Sequence, residues 1–242
     1  MSDSGGNTAG DALGAEQGPA IHHMSTVRTG RYYTLGATLA SVRRVWFVLH
    51  GYGQLAERFL RHFEGVIPSD TLIVAPEGLS RFYIEMPRAD GGHLNRVGAA
   101  WMTKEDRDSD ILDTNLWLNS IYARIIDEVH HASGQYPTAC VLAFSQAVAT
   151  TMRWIAGRAV HAERVVFWAG SLATDVDADA LQFGLRDTEI FYVTGTNDQF
   201  FTPKAHERIA AEWKILELNP ILISYEGVHE LDKSVVAELL GR

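Results

Sequence analysis

Cysteine is almost missing from this 242-residue chain, with Cys140 as its one thiol. A lone thiol closes no intramolecular disulfide and builds no multi-thiolate metal site. Long apolar runs are missing as well. Val45–Leu49 spans five residues, against the roughly 20 that a membrane-spanning helix needs, so no integral membrane segment is expected. Basic charge is scarce: 21 Lys and Arg stand against 30 Asp and Glu, a net charge of −9. Nucleic-acid binding draws on clustered Lys and Arg to displace counterions, and a polybasic patch is also what holds an anionic membrane. Neither partner is expected. Residues 1–20 contain no Lys or Arg and no apolar stretch, so no secretory signal is read there and the cytoplasm is the expected location.

What is present is ordinary globular composition, 46% hydrophobic and 21% charged, which excludes general disorder, collagen and coiled coil. A chain of this length buries roughly 70–75% of its unfolded surface on folding, enough for a core without staples. Residues 1–19 hold five glycines and three acidic groups and read as a disordered leader, with Met24 as an alternative start. Residues 20–242 carry no linker or internal repeat and read as one domain.

Beyond the leader the pattern alternates strand and helix. Val27–Leu35 reads as extended, and Val45–His50 as a short buried strand ending at Gly51–Tyr52–Gly53. Ala56–Phe63 has the spacing of a short helix, and Thr71–Ala75 is a second buried strand. Residues 79–109 fit neither period and read as a long loop that serves a site. Asp110 is placed as the cap of a helix running to His131. Further strands are predicted at Ala139–Phe144, Arg164–Trp168, Ile190–Thr194 and Ile221–Tyr225. Helices are predicted over Gln146–Gly157, Pro203–Leu218 and Leu231–Leu240. Such alternation predicts an α/β fold, a mostly parallel sheet with helices on both faces. Its chemistry belongs at the carboxyl ends of the strands.

Three strand-to-turn junctions carry reactive groups. Ser145 lies between the strand Ala139–Phe144 and the helix from Gln146, where a sharp turn lifts a hydroxyl above the sheet. The bland reading of that serine is an N-cap. Asp198 follows the strand Ile190–Thr194, where a carboxylate can orient a histidine, and Asn-Asp is also a common turn pair. His229 follows the strand Ile221–Tyr225, and histidine titrates where a general base for serine must. The order Ser145, Asp198, His229 is that of the α/β-hydrolase arrangement, each residue just after a predicted strand. A fourth junction, His50–Gly51–Tyr52–Gly53, falls where a second oxyanion donor belongs. The backbone N–H groups of Tyr52 and Gln146 are therefore assigned to the oxyanion hole, and His50 to holding that loop.

Metal and nucleotide chemistry leave no signature. Ten histidines are present, but in an H-E-x-x-H reading the second histidine is replaced by Ala210 after His206–Glu207 and by Lys233 after His229–Glu230. No phosphate loop or dinucleotide fingerprint follows the early strands. Neither metal nor cofactor is expected.

Phe144–Ser145–Gln146, His50–Gly51–Tyr52–Gly53, Gly195–Thr196–Asn197–Asp198 and Val228–His229–Glu230 resemble the motifs of the phospholipase/carboxylesterase family of α/β-hydrolases. That family includes bacterial carboxylesterases and acyl-protein thioesterases. The resemblance runs from about Tyr33 to the end, and Ala100–Trp101–Met102 matches the loop that helps line the family's acyl pocket. It implies a small serine esterase without a large cap domain, acting on a small-molecule ester. Ala143 and Ala147 depart from the family, which typically has glycine at both places. Trp101, Met102, Phe82, Leu172, Phe200 and Phe201 are the expected pocket residues, with Tyr83 and Trp168 nearby. Short- to medium-chain carboxylic esters are the expected substrates, with thioesters and lysophospholipids as alternatives of the same mechanism. The rival from another class is a hydrolase-fold protein that binds a ligand or partner with little turnover; the two alanines are its support.

Overall fold

The computed structural model describes residues 19–87 and 93–241. The expected leader lies, apart from Pro19, outside the described residues. Five strands of parallel sheet arise where the chain is apolar and β-branched on both faces, as in β2 (Arg44–Leu49), β3 (Thr71–Pro76), β6 (Thr138–Phe144), β7 (Arg164–Trp168) and β8 (Glu189–Gly195). Nearly every residue of these strands is buried, because helices must cover a parallel sheet. Two less buried strands close the edges, β1 (Tyr32–Gly36) and β9 (Ile221–Tyr225). The order is β1-β3-β2-β6-β7-β8-β9. β1 runs antiparallel to β3 and all other pairs are parallel.

From β2 the chain steps outward to β3, and from β6 it steps the opposite way through β7, β8 and β9. Right-handed crossovers then send the helices of the two directions to opposite faces. The reversal makes the β2/β6 boundary a topological switch point, where such sheets open a crevice at their carboxyl ends. His50–Tyr52 leave β2 and Ser145 leaves β6, so both line that boundary.

The helices are α1 (Ala56–Phe59), α2 (Arg107–Ser133), α3 (Gln146–Ala156), α4 (Ala178–Leu185), α5 (Pro203–Ile215) and α6 (Lys233–Gly241). One contiguous cluster of buried side chains runs from Val42 to Leu240, with Trp46, Trp154, Trp168, Phe47, Phe167 and Phe191 among its bulk. Two polar clasps close its lower end. Arg164 pairs with Glu189 at 2.7 Å and donates to Leu239 O at 3.0 Å, and Arg44 donates to Leu240 O at 3.2 Å. Among the described residues no helix is long and apolar enough to cross a membrane.

Four expectations are corrected. Residues 79–109 are not one long loop: β4 (Ser80–Pro87) and β5 (His93–Ala100) pair antiparallel from Ser80↔Ala100 to Pro87↔His93, and irregular chain remains between Ala100 and α2. This ribbon stands apart from the main sheet. With Tyr83, Met86 and Leu94 all exposed, it has no clean apolar-polar alternation to betray it. α4 was hidden by its eight residues, although Asp177 caps it by accepting from Ala180 N at 3.0 Å. α2 begins three residues before Asp110, whose carboxylate instead accepts from Thr103 N at 2.8 Å and fastens the preceding turn. The extended segment begins at Tyr32 rather than Val27, since only from there does β3 offer a ladder.

Cys140 sits in β6 between β2 and β7, 1% exposed, and burial pushes its thiol up to about 12. A thiolate is the reactive form. The folded protein is therefore expected to leave a disulfide-exchange reagent such as 5,5′-dithiobis(2-nitrobenzoate) unreacted at pH 8, and to titrate one thiol per chain in denaturant. Rapid reaction without denaturant would contradict the burial.

Candidate active site

Ser145 occupies the one residue between β6 and α3, with φ 55° and ψ −117°. A residue with a Cβ at positive φ costs about 1–3 kcal/mol and persists only where its surroundings hold it. Here the Ser145 N–H donates to Trp168 O at 2.8 Å, and its carbonyl accepts from Val148 N at 3.0 Å. The turn after β7 closes over the elbow so tightly that a Cβ on Gly170 would lie 2.2 Å from Ser145 O. Ala143 and Ala147 are fully buried, yet neither takes a positive φ. Glycine is therefore not required at either place for its backbone freedom. The unusual backbone angle falls on the serine itself.

The turns after β8 and β9 bring the other two residues to it. Thr196 N donates to Tyr225 O and Asn197 N to Gly227 O, both at 2.9 Å. Gly195 permits this contact: a Cβ there would lie 2.4 Å from Gly227 O. Tyr225 Oη, 2.9 Å from Val228 O and in contact with Glu230 O, grips the His229 turn from below. Trp168 Nε1 donates to Glu230 O at 3.1 Å. So held, His229 Nδ1 lies 2.6 Å from Asp198 Oδ2 and Nε2 lies 3.0 Å from Ser145 Oγ. An ionised carboxylate only accepts, so Nδ1 carries the proton and Nε2 presents its lone pair to the serine. The other Asp198 oxygen accepts from Phe200 N at 2.9 Å, and the carboxylate is wholly buried. Phe144 and Phe200 flank the imidazole with ring centroids 5.0 and 4.7 Å away.

The opposite wall is built on two side chains. His50 is fully buried; its Nε2 accepts from Gly78 N at 3.0 Å, so its proton is on Nδ1, which donates to Gly51 O at 2.8 Å. Gln146 accepts from Trp101 N at 3.2 Å and donates to Met102 O at 3.0 Å, tying residues 101–102 to the elbow. That side-chain role has no motif of its own and was not foreseen. Tyr52 is exposed, with its ring 5.1 Å from Phe82.

A cavity of about 530 Å³ lies over Ser145 and His229, a size typical of small-molecule sites. Of the expected pocket residues, Met102, Phe200 and Phe201 line it, together with Tyr52. Trp101 and Leu172 do not: both are buried in the core, Trp101 stacked on His50 at 4.7 Å and donating from Nε1 to His50 O. Phe82 and Tyr83 belong to a neighbouring open groove along the β4–β5 ribbon, which meets the cavity at Tyr52. Trp168 is core. In their place the cavity is lined by Ala149, Ser171 and two arginines, Arg153 and Arg208. Arg153 grips Asp175, with Nη2 2.8 Å from Oδ1, and Arg107 holds the same carboxylate from the other side. Arg153 first, then Arg107, hold the Asp175 carboxyl well below the usual carboxylate range against the opposing effect of burial. Among the described residues no group of three or more His, Cys, Asp or Glu side chains could hold a metal ion.

No protein-family model matches the chain, and no curated protein matches its sequence. Solved structures do. A carboxylesterase from Mesorhizobium loti superposes with a TM-score of 0.63 at 15% identity, over 88% of this chain and 94% of that one. Acyl-protein thioesterase 2 from Zea mays gives 0.61 at 16%, over 88% and 98%. A Bacillus cereus carboxylesterase gives 0.58 at 13%, over 88% and 92%. The chain has the α/β-hydrolase fold. Among the described residues no large cap domain is evident; Met102, in the loop before α2, lines the cavity, and the β4–β5 ribbon borders the neighbouring groove. The segment that follows β2 is locked through His50.

Burial holds the His50 imidazole down to about 4, against the smaller upward effects of Gly51 and Glu77. Between pH 4 and 6.5 the unfolded chain takes up the proton that the folded one refuses. Its contribution is thus fully present above pH about 6.5 and lost as the pH falls toward 4, by about 3 kcal/mol in all. Urea midpoints measured across that window are expected to fall more steeply for the natural protein than for His50→Gln, which is less stable at pH 7. Parallel curves would contradict the neutral buried imidazole.

Proposed function

We propose that the protein is a serine esterase that hydrolyses short- to medium-chain carboxylic esters through an acyl-enzyme on Ser145. The observation that carries this reading is the continuous hydrogen-bonded line from Asp198 through His229 to Ser145, 2.6 and 3.0 Å long, on a strained turn opening into a cavity. His229 Nε2 takes the Ser145 proton as Oγ bonds to the ester carbonyl carbon. The carbonyl oxygen becomes the oxyanion and is received by the backbone N–H groups of Tyr52 and Gln146. Gln146 opens α3, where the first N–H groups have no partner within the helix.

The imidazolium then gives its proton to the alkoxy oxygen as the C–O bond breaks, and the alcohol leaves. A water yields one proton to His229 and adds its oxygen to the acyl carbon. Collapse of that second intermediate releases the acid and returns the proton to Ser145 Oγ. Asp198 keeps the Nδ1–H tautomer in place and stabilises the imidazolium without taking the proton. Thioesters are open to the same steps, since a thiolate leaves more readily than an alkoxide.

Hydrolysis of 4-nitrophenyl esters from acetate to palmitate tests this. Acetate to butyrate are expected to be turned over and palmitate poorly, given the size of the cavity. Ser145→Ala is expected to lower kcat by about 10⁴–10⁶, and Asp198→Asn by about 10⁴. A fluorophosphonate should label Ser145 in the natural protein. Equal rates in the natural protein and Ser145→Ala, with no labelling, would sink the esterase reading and favour a binding protein.

A further inference from the structure

The cavity over Ser145 has a charge of definite sign. Its lining includes two guanidinium groups and no carboxylate, on a chain whose net charge is −9. The two arginines differ in what they are free to do. Arg153, 12% exposed, is locked by its fork on Asp175 and by the second arginine beyond it. It is a fixed wall. Arg208, on α5, is 58% exposed; its Nε stands 3.5 Å from Glu212 Oε1 and its Nη2 3.5 Å from Ser171 Oγ. Both contacts are long for charge-assisted bonds, which run about 2.7–2.9 Å. Glu212 itself is largely buried and is not part of the lining. The guanidinium thus reaches the cavity with donors to spare, in the fork geometry that matches a carboxylate.

We propose that Arg208 is a specificity-determining residue and that the preferred substrates are anionic esters, carrying a carboxylate away from the scissile bond. This rests on the esterase reading above. Phe200, Phe201 and Ala149 supply apolar surface in the same cavity. An ester with a neutral tail leaves the Arg208 side chain to water. One with a terminal carboxylate gains a charge-assisted pair with Arg208, an interaction that distinguishes substrates otherwise alike in size.

Two matched pairs test it: 4-nitrophenyl pentanoate against the 4-nitrophenyl half-ester of glutarate, and phenyl butyrate against 4-carboxyphenyl butyrate. The first places the carboxylate on the acyl side, the second on the alcohol side. In at least one pair the anionic ester is expected to have the higher kcat/KM. Arg208→Gln should lower that preference about tenfold, and Arg208→Lys should recover part of it. Equal kcat/KM within both pairs, or a preference that Arg208→Gln retains, would overturn the proposal while leaving the esterase reading intact. Binding of glutarate to Ser145→Ala by calorimetry supplies a readout independent of turnover. If the natural protein hydrolyses none of the esters, the esterase reading fails. Glutarate binding that disappears in the double variant with Arg208→Gln would still support the anion site, and no binding would overturn it.

Discussion

Everything at the carboxyl end of the sheet depends on one residue kept in a conformation it does not favour. Ser145 at φ 55° turns the chain from β6 into α3 in a single step. That angle survives because hydrogen bonds and close packing from β7 and its following turn leave no other. The Trp168 carbonyl takes the serine N–H, and the Gly170 backbone is pressed against the serine carbonyl. Strain of this kind holds only when neighbouring structure over-determines it. Here the neighbours are central strands, buried on both faces and paired in register with β6.

The partners of Ser145 are held by a different device. β9 is an edge strand with an exposed outer face, a poor foundation for a histidine that must sit 3.0 Å from a serine hydroxyl. Rigidity comes from polar clasps beneath the turn. Tyr225 and Trp168 fasten residues 228–230, and two backbone bonds knit the Asp198 turn to the His229 turn. The close meeting of the two turns also needs a residue without a Cβ, which is why Gly195 stands where it does. On the far side, a neutral buried histidine braces Gly51 and Gly78, and the side chain of Gln146 braces Trp101 and Met102.

The strand-end positions of the candidate residues were legible for a simple reason. A parallel strand buried on both faces is an uninterrupted apolar run, and its end is marked by the first polar or glycine residue. Ser145, Asp198, His229 and His50 could thus be placed on strand ends from the one-dimensional pattern. The pocket was not legible, because aromatic and aliphatic residues near strand ends are equally suited to a cavity wall and to the core. Trp101 went under His50, Leu172 into the core, and Phe82 out to the β4–β5 ribbon, while two arginines took lining positions. That ribbon escaped notice because a two-stranded hairpin standing off the sheet buries little of either face and so needs no alternation.

Local sequence alone determined the alternation of strands and helices, and the chain order of serine, aspartate and histidine, since hydrophobic periodicity and residue chemistry act over a few neighbours. It could not determine which side chains share a cavity. Arg153, Arg208 and Ser145 lie on α3, α5 and the β6 elbow. Only the order of the strands brings those elements to one opening. Nor could it say that the alanines beside the elbow keep an ordinary backbone angle, because whether a position needs glycine depends on that angle and on what packs against its Cβ. Both are settled by contacts between residues distant along the chain.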